Sequence, residues 1–80
     1  MAAKEVVSSC TLTGRYAAEL VKNANEFFKY SVYCSKDGRR VSAKSLLGIL
    51  SLGVMEGEKI TFYFYSEEDS KKLDRVLNFN

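Results

Sequence analysis

Lys59-Ile60-Thr61-Phe62-Tyr63-Phe64-Tyr65 carries the clearest strand pattern in the chain. Ile60, Phe62 and Phe64 alternate with Thr61, Tyr63 and Tyr65, a period of two that turns successive side chains to opposite faces of a strand. One face of this strand needs burial, while the other carries hydroxyl-bearing side chains that tolerate water. A strand cannot bury its own apolar face, so neighbouring strands and a covering layer must come from the rest of the chain.

The flanking sequence supplies both. Downstream, Ser66-Glu67-Glu68-Asp69 has the Ser-x-x-Asp spacing of a capping box and places acids in a first helical turn. Leu73, Val76 and Leu77 then mark one helix face at i, i+3 and i+4. Upstream, Gly57 marks a turn, and before it Leu46, Ile49 and Leu50 repeat the helical spacing. Ser45 stands at that helix's N-cap and Gly53 at its C-terminal exit. Further back, Lys36-Asp37-Gly38-Arg39 carries the Asp-Gly pair of a tight hairpin between strands at residues 31–35 and 40–43. Residues 15–28 place Ala17, Leu20, Val21, Ala24, Phe27 and Phe28 on one face of a longer helix, with Thr13 as its candidate N-cap. Residues 4–10 read as the first strand, with Val6, Ser8 and Cys10 on one side. The order is strand, helix, strand, strand, helix, strand, helix. It implies an α+β fold, a four-stranded antiparallel sheet with three helices on one face. The expected core is Val6, Leu20, Val21, Ala24, Val32, Ile49, Ile60, Phe62, Phe64, Leu73, Val76 and Leu77.

Composition narrows the function. At 80 residues, 46% apolar and 28% charged, the chain reads as one globular domain spanning residues 1–80. The net charge of +2 and the lack of a basic, aromatic-interleaved stripe argue against direct nucleic-acid binding. Apolar runs fall short of a membrane span and the first residues carry no signal-peptide core, so no membrane is expected and a cytoplasmic location is. Cys10 and Cys34 lack metal-ligand spacing and read as reduced apolar strand residues. The chain contains no histidine, which removes Ser-His-Asp and Cys-His catalysis. No phosphate-cradling glycine loop is present. Neither catalysis nor a cofactor or metal is expected.

Against this background Ala43-Lys44-Ser45-Leu46-Leu47-Gly48-Ile49-Leu50-Ser51-Leu52-Gly53-Val54 closely resembles the regulatory-serine segment of the HPr family, the small phosphocarriers of the bacterial sugar phosphotransferase system. The similarity extends through Glu56-Gly57-Glu58-Lys59-Ile60-Thr61 and back through Lys36-Asp37-Gly38-Arg39-Arg40-Val41. Arg15, Ala17, Ala18, Leu20, Val21 and Ala24 resemble the family's first helix. The resemblance implies an open-faced β-sandwich. It also exposes a departure. The family's loop reads Gly-x-His-Ala-Arg-Pro-Ala, whereas here Leu12-Thr13-Gly14-Arg15-Tyr16-Ala17 puts Thr13 at the histidine and Tyr16 at the proline. An imidazole is nucleophilic near neutral pH and an unassisted hydroxyl is not. Carrier activity is therefore expected to be lost, as in the Crh-like branch that also lacks the histidine.

What the resemblance retains is regulatory. It implies that Ser45 is phosphorylated by an HPr kinase/phosphorylase, that the product serves a catabolite-control transcription factor or other phosphotransferase-linked proteins, and that Leu46, Leu47 and Leu50 form the docking patch. Spacing alone reads Ser45 as a helix cap, and Arg15 is either a partner contact or a solvated helix-start residue. Tyr33, Tyr63 and Tyr65 are expected on the uncovered sheet face, as an interface or as ordinary strand tyrosines; a monomer or weak homodimer follows. The competing functions are an unphosphorylated binding module and a carrier that uses Thr13 or Cys10 as acceptor.

Overall fold

The alternating strand stands in the middle of the sheet. In the computed structural model, which describes residues 2–79, it forms β4 (Lys59–Phe64), flanked by β1 (Ala2–Val7) and β2 (Val32–Lys36); β3 (Arg39–Ser42) closes the other edge. The order is β1-β4-β2-β3 and all pairings are antiparallel. The helices are α1 (Gly14–Phe27), α2 (Leu46–Leu52), α3 (Glu67–Ser70) and α4 (Leu73–Val76). Val32, Cys34, Ile60, Phe62 and Phe64 turn inward and are buried, against Ala17, Leu20 and Ala24 of α1, Ile49 and Leu52 of α2, and Leu73 and Val76 of α4. Phe64 anchors this layer, edge-on to Phe28 at 5.6 Å and stacked on Phe62 at 6.4 Å.

The hairpin forms because Asp37 and Gly38 both take positive φ, 51° and 79°, so that Lys36 pairs directly with Arg39. That primed turn matches the right-handed twist of its strands. It also shifts both strand boundaries one residue toward the turn.

Several sequence expectations need correction. The first strand occupies residues 2–7 rather than 4–10, because Ser8 leaves the ladder: its N–H donates to the Glu58 carbonyl at 2.8 Å and its carbonyl accepts from Gly57 at 2.9 Å. Cys10 accordingly lies half-buried in the loop after β1, outside the strand. Val6, Val21 and Leu77 sit half-buried at the rim. Leu12, Phe28, Ala43 and Val54, which lie outside the helices and strands, are buried instead. The final helical stretch is interrupted at Lys71 and Lys72, where Lys72 N–H reaches back three residues to the Asp69 carbonyl (3.0 Å), tightening the turn.

Half of the Ser66-Asp69 reading holds. Ser66 Oγ accepts from Asp69 N–H at 3.2 Å. The Asp69 carboxylate does not fold back to its own helix. It is fully buried and accepts from the Lys29 and Tyr30 amides at 2.8 and 2.9 Å, which ties α3 to the segment following α1.

Candidate functional site

Ser45 is placed by the chain on both sides of it. β3 ends at Ser42, whose hydroxyl accepts from Lys44 N–H (3.1 Å) and whose carbonyl accepts from Ser45 N–H (3.1 Å). This turn puts Ser45 in an extended conformation (φ −110°, ψ 116°), as an N-cap requires. Its Oγ accepts from Gly48 N–H at 3.1 Å and its carbonyl from Ile49 N–H at 3.0 Å. Gly53, at φ 61° and ψ 40°, ends α2 in the left-handed conformation. Ser45→Ala should lower stability by about 1 kcal/mol, read from the urea midpoint, with Ser45→Asp recovering most of it.

Gly48 lets the helix lie close to β3. A Cβ there would stand 3.0 Å from Val41 Cβ and 3.3 Å from Ser45 Oγ. Gly48→Ala should destabilise by about 1 kcal/mol, because crowding against a strand outweighs the gain of about 1 kcal/mol in helix propensity. Thermal unfolding would show a lower Tm if this is right and a higher one if it is wrong.

The outer side of α2 carries Leu46, Leu47 and Leu50, which are 42%, 81% and 39% exposed. Ile49 and Leu52 are spent on the core, so the exposed leucines are not needed to hold the helix down. Met55, just beyond α2, is exposed too and escaped the spacing argument because it stands outside the helical period. Around the helix, Lys44 Nζ donates to the Phe28 carbonyl (3.0 Å) and Asn25 Nδ2 to the Lys44 carbonyl (3.2 Å). Arg39 donates to the Ser51 carbonyl at 2.9 Å, and Lys36 Nζ to the Gly53 carbonyl at 2.9 Å. Lys36 also meets Glu58 at 2.8 Å; that bond, with the Met55 amide, holds the Glu58 carboxyl below its ordinary range. The start of α2 therefore sits against the C-terminal end of α1.

The Thr13 loop lies at the other end of the helix pair. Leu12 N–H donates to the Val54 carbonyl at 2.8 Å and Glu56 N–H to Thr11 Oγ1 at 3.1 Å, which sets the beginning of α1 beside the exit of α2. Thr13 and Ser45 are thus divided by roughly 18 Å of helix, the rise from Thr13 to Asn25. Thr13 is exposed at the N-cap position, but its hydroxyl makes no capping bond, contrary to the expectation from sequence. Arg15 is exposed, with its guanidinium 5.6 Å from the Tyr16 ring, and Tyr16 in turn meets Phe79 at 5.8 Å. A depression of about 310 Å³ lies here, lined by Ser9, Cys10, Tyr16, Leu77, Asn78 and Phe79. Burial, with Glu56 nearby, raises the Cys10 thiol pKa against a smaller opposing bond from Ser9. Burial pushes Cys34 up to about 12. Neither thiol is activated as a nucleophile.

Tyr33 and Tyr63 are register partners on the uncovered face. Arg40 lies over Tyr63 at 4.1 Å and Tyr33 at 5.9 Å, and the Tyr63 hydroxyl is 3.1 Å from Ser35 Oγ. Tyr65 does not join them. It stands one residue beyond the last β2–β4 pair, is exposed, and packs on Tyr30 at 5.3 Å. Among the described residues, no group of three or more Asp, Glu, Cys or His could hold a metal ion, and no helix is long and apolar enough to cross a membrane.

Residues 3–79 match the family model described as the PTS HPr component phosphorylation site. In sequence the chain is 36% identical over 75 residues to the HPr-like protein Crh of Bacillus subtilis strain 168, covering 94% of this chain and 87% of that protein. The crystal structure of a phosphocarrier protein HPr from Bacillus anthracis strain Ames is similar with a TM-score of 0.84 and 32% identity, covering 95% of this chain and 92% of that one. The crystal structure of Bacillus subtilis Crh, described as a domain-swapped intertwined dimer, gives a TM-score of 0.69 at 35% identity, covering 89% and 80% of the two chains.

Proposed function

This chain belongs to the HPr family, whose HPr and Crh proteins are phosphocarrier and regulatory proteins rather than enzymes, and from that premise we propose that it is a regulatory adaptor of the phosphotransferase system and carbon catabolite control, without histidine phosphocarrier activity and switched by phosphate on Ser45. The observation that carries this reading is the pairing of the Ser45 hydroxyl with the exposed Leu46, Leu47 and Leu50 in a chain that contains no histidine. A phosphoryl group on Oγ would add about −1.5 to −2 charges where the Gly48 amide already points, at the favourable end of the α2 dipole. Its remaining oxygens would face solvent and a cationic partner, with the leucines supplying apolar contact beside them.

The acceptor chemistry of the other candidates is poor. Thr13 has no histidine anywhere in the chain to serve as its base, and the Cys10 thiol is shifted away from ionisation. Arg15, exposed at the start of α1, is the contact offered to an acidic partner from the opposite end of the helix pair. The proposed partners are an HPr kinase/phosphorylase and a catabolite-control transcription factor, met in the cytoplasm by a one-domain protein that is a monomer or weak homodimer.

The test is a calorimetric titration of such a transcription factor with the chain before and after phosphorylation. Phosphorylation should tighten binding at least tenfold, and Leu47→Ala should weaken the complex by about 1–2 kcal/mol. Equal affinity of the two forms would favour an unphosphorylated binding module. Incubation with Enzyme I and phosphoenolpyruvate should leave the mass unchanged; a phospho-adduct would reinstate a carrier with a non-histidine acceptor.

A further inference from the structure

The sheet face opposite the helices carries a charge pattern that complements itself. Across the strands Glu5, Thr61, Ser35 and Arg40 form one outward row, and Ala3, Tyr63, Tyr33 and Ser42 form the next. The first row has an acid on edge strand β1 and a base on edge strand β3, about 14 Å apart at three strand spacings. Glu5 has only a long contact to Lys59 (3.9 Å) in which both side chains are well exposed, so its carboxylate stays available. The Arg40 side chain has no hydrogen bond or ion pair among the described residues. It is exposed and lies over the Tyr63 and Tyr33 rings.

We propose that this face is where two copies of the chain meet, sheet against sheet, about a two-fold axis parallel to the strands and running between β4 and β2. Such an axis exchanges β1 with β3 and β4 with β2 while keeping each row at its own height. Glu5 of one copy then faces Arg40 of the other, twice, and Tyr63 faces Tyr33, twice. An isologous contact requires that self-matching, and a row with like charges at both ends would forbid it. The arrangement is the aligned packing of two sheets about 10 Å apart, with the tyrosines and the Arg40 side chain filling the gap. Four short strands per copy would bury on the order of 1,000 Å² in total, the lower limit for a specific interface, so a weak dimer is expected. This contact exchanges no strand and leaves Ser45 and the α2 leucines free.

Sedimentation equilibrium of the full chain over a dilution series tests the proposal, with Glu5→Arg, Arg40→Glu and the two combined. Both substitutions are on exposed side chains, and far-UV circular dichroism with thermal unfolding checks that each variant folds. Each single reversal should weaken dimerisation at least tenfold. The double reversal should restore it to within about threefold, because it re-forms the same pairs with their signs exchanged. A chain that remains monomeric at millimolar concentration overturns the proposal. So does a dimer that survives Arg40→Glu unchanged, as an exchange of β1 between copies would, and so does a double variant that fails to recover.

Discussion

Asp69→Ala is expected to remove about 3–5 kcal/mol of folding stability, because it deletes a buried carboxylate and strands two amide donors at once. The Lys29 and Tyr30 N–H groups donate to separate oxygens of that carboxylate, and Lys72 Nζ stands 3.6 Å from one of them. Burial by itself raises the Asp69 pKa; the Lys29 and Tyr30 amides, with Lys72, outweigh it and hold the group below its ordinary value. A folded-state pKa below the unfolded one means that this stabilisation is complete above the unfolded value, near pH 4, and is lost as pH falls through the folded value. Stability should therefore rise with pH across that acid window. Asp69→Asn should flatten that dependence and cost about 2 kcal/mol, since one face of the amide presents a donor to a donor. Urea titrations at several pH values measure both effects. A wild-type acid slope that persists in Asp69→Asn would assign it to other carboxylates.

The second large effect belongs to Phe64. Its ring is fully buried, edge-on to Phe28 and stacked on Phe62, and its backbone pairs with Ala2 on one side and Val32 on the other. Phe64→Ala should cost about 3–5 kcal/mol through lost transfer energy and the cavity left beneath α1. For a domain whose net stability is about 5–10 kcal/mol, that leaves a chain near its threshold. Phe64→Leu keeps most of the volume and should cost under about 1.5 kcal/mol. A double-mutant cycle with Phe28→Leu should show a coupling of about 0.5–1.5 kcal/mol, the contribution of the edge-to-face pair beyond its area. Additive losses would mean that the ring geometry adds nothing to burial.

These two residues also mark what sequence can and cannot show. Phe64 was legible because burial on one face of a strand imposes a period of two. Ser45, Gly53 and the Asp37-Gly38 turn were legible because capping and positive φ are local requirements that few residue types meet. Asp69 was not. Its spacing to Ser66 invites a capping box, but its oxygens are used about forty positions away, on amides that local pattern cannot connect to it. Leu12, Ala43 and Val54 were missed for a related reason: they enter the core from loops, where no period exists to betray an inward side chain. The strand expected over residues 4–10 ends at Val7 because Ser8 exchanges backbone bonds with the turn before β4, a tertiary pairing that outweighs strand propensity. Helical spacing placed Ser45 at the N-cap and turned Leu46, Leu47 and Leu50 outward. It could not show that Arg40 covers the tyrosines or that Tyr65 turns to Tyr30, since both depend on side chains from separate strands and loops meeting in space.

We expect Ser45 to act as a switch as well as a helix cap. Intact mass spectrometry after incubation with ATP and a bifunctional HPr kinase, run beside Ser45→Ala and an HPr control, tests this role. The wild-type chain should gain a single phosphate and the variant none. An unmodified wild-type chain beside a phosphorylated control would contradict it, leaving Ser45 with its bond to the Gly48 amide and no regulatory role.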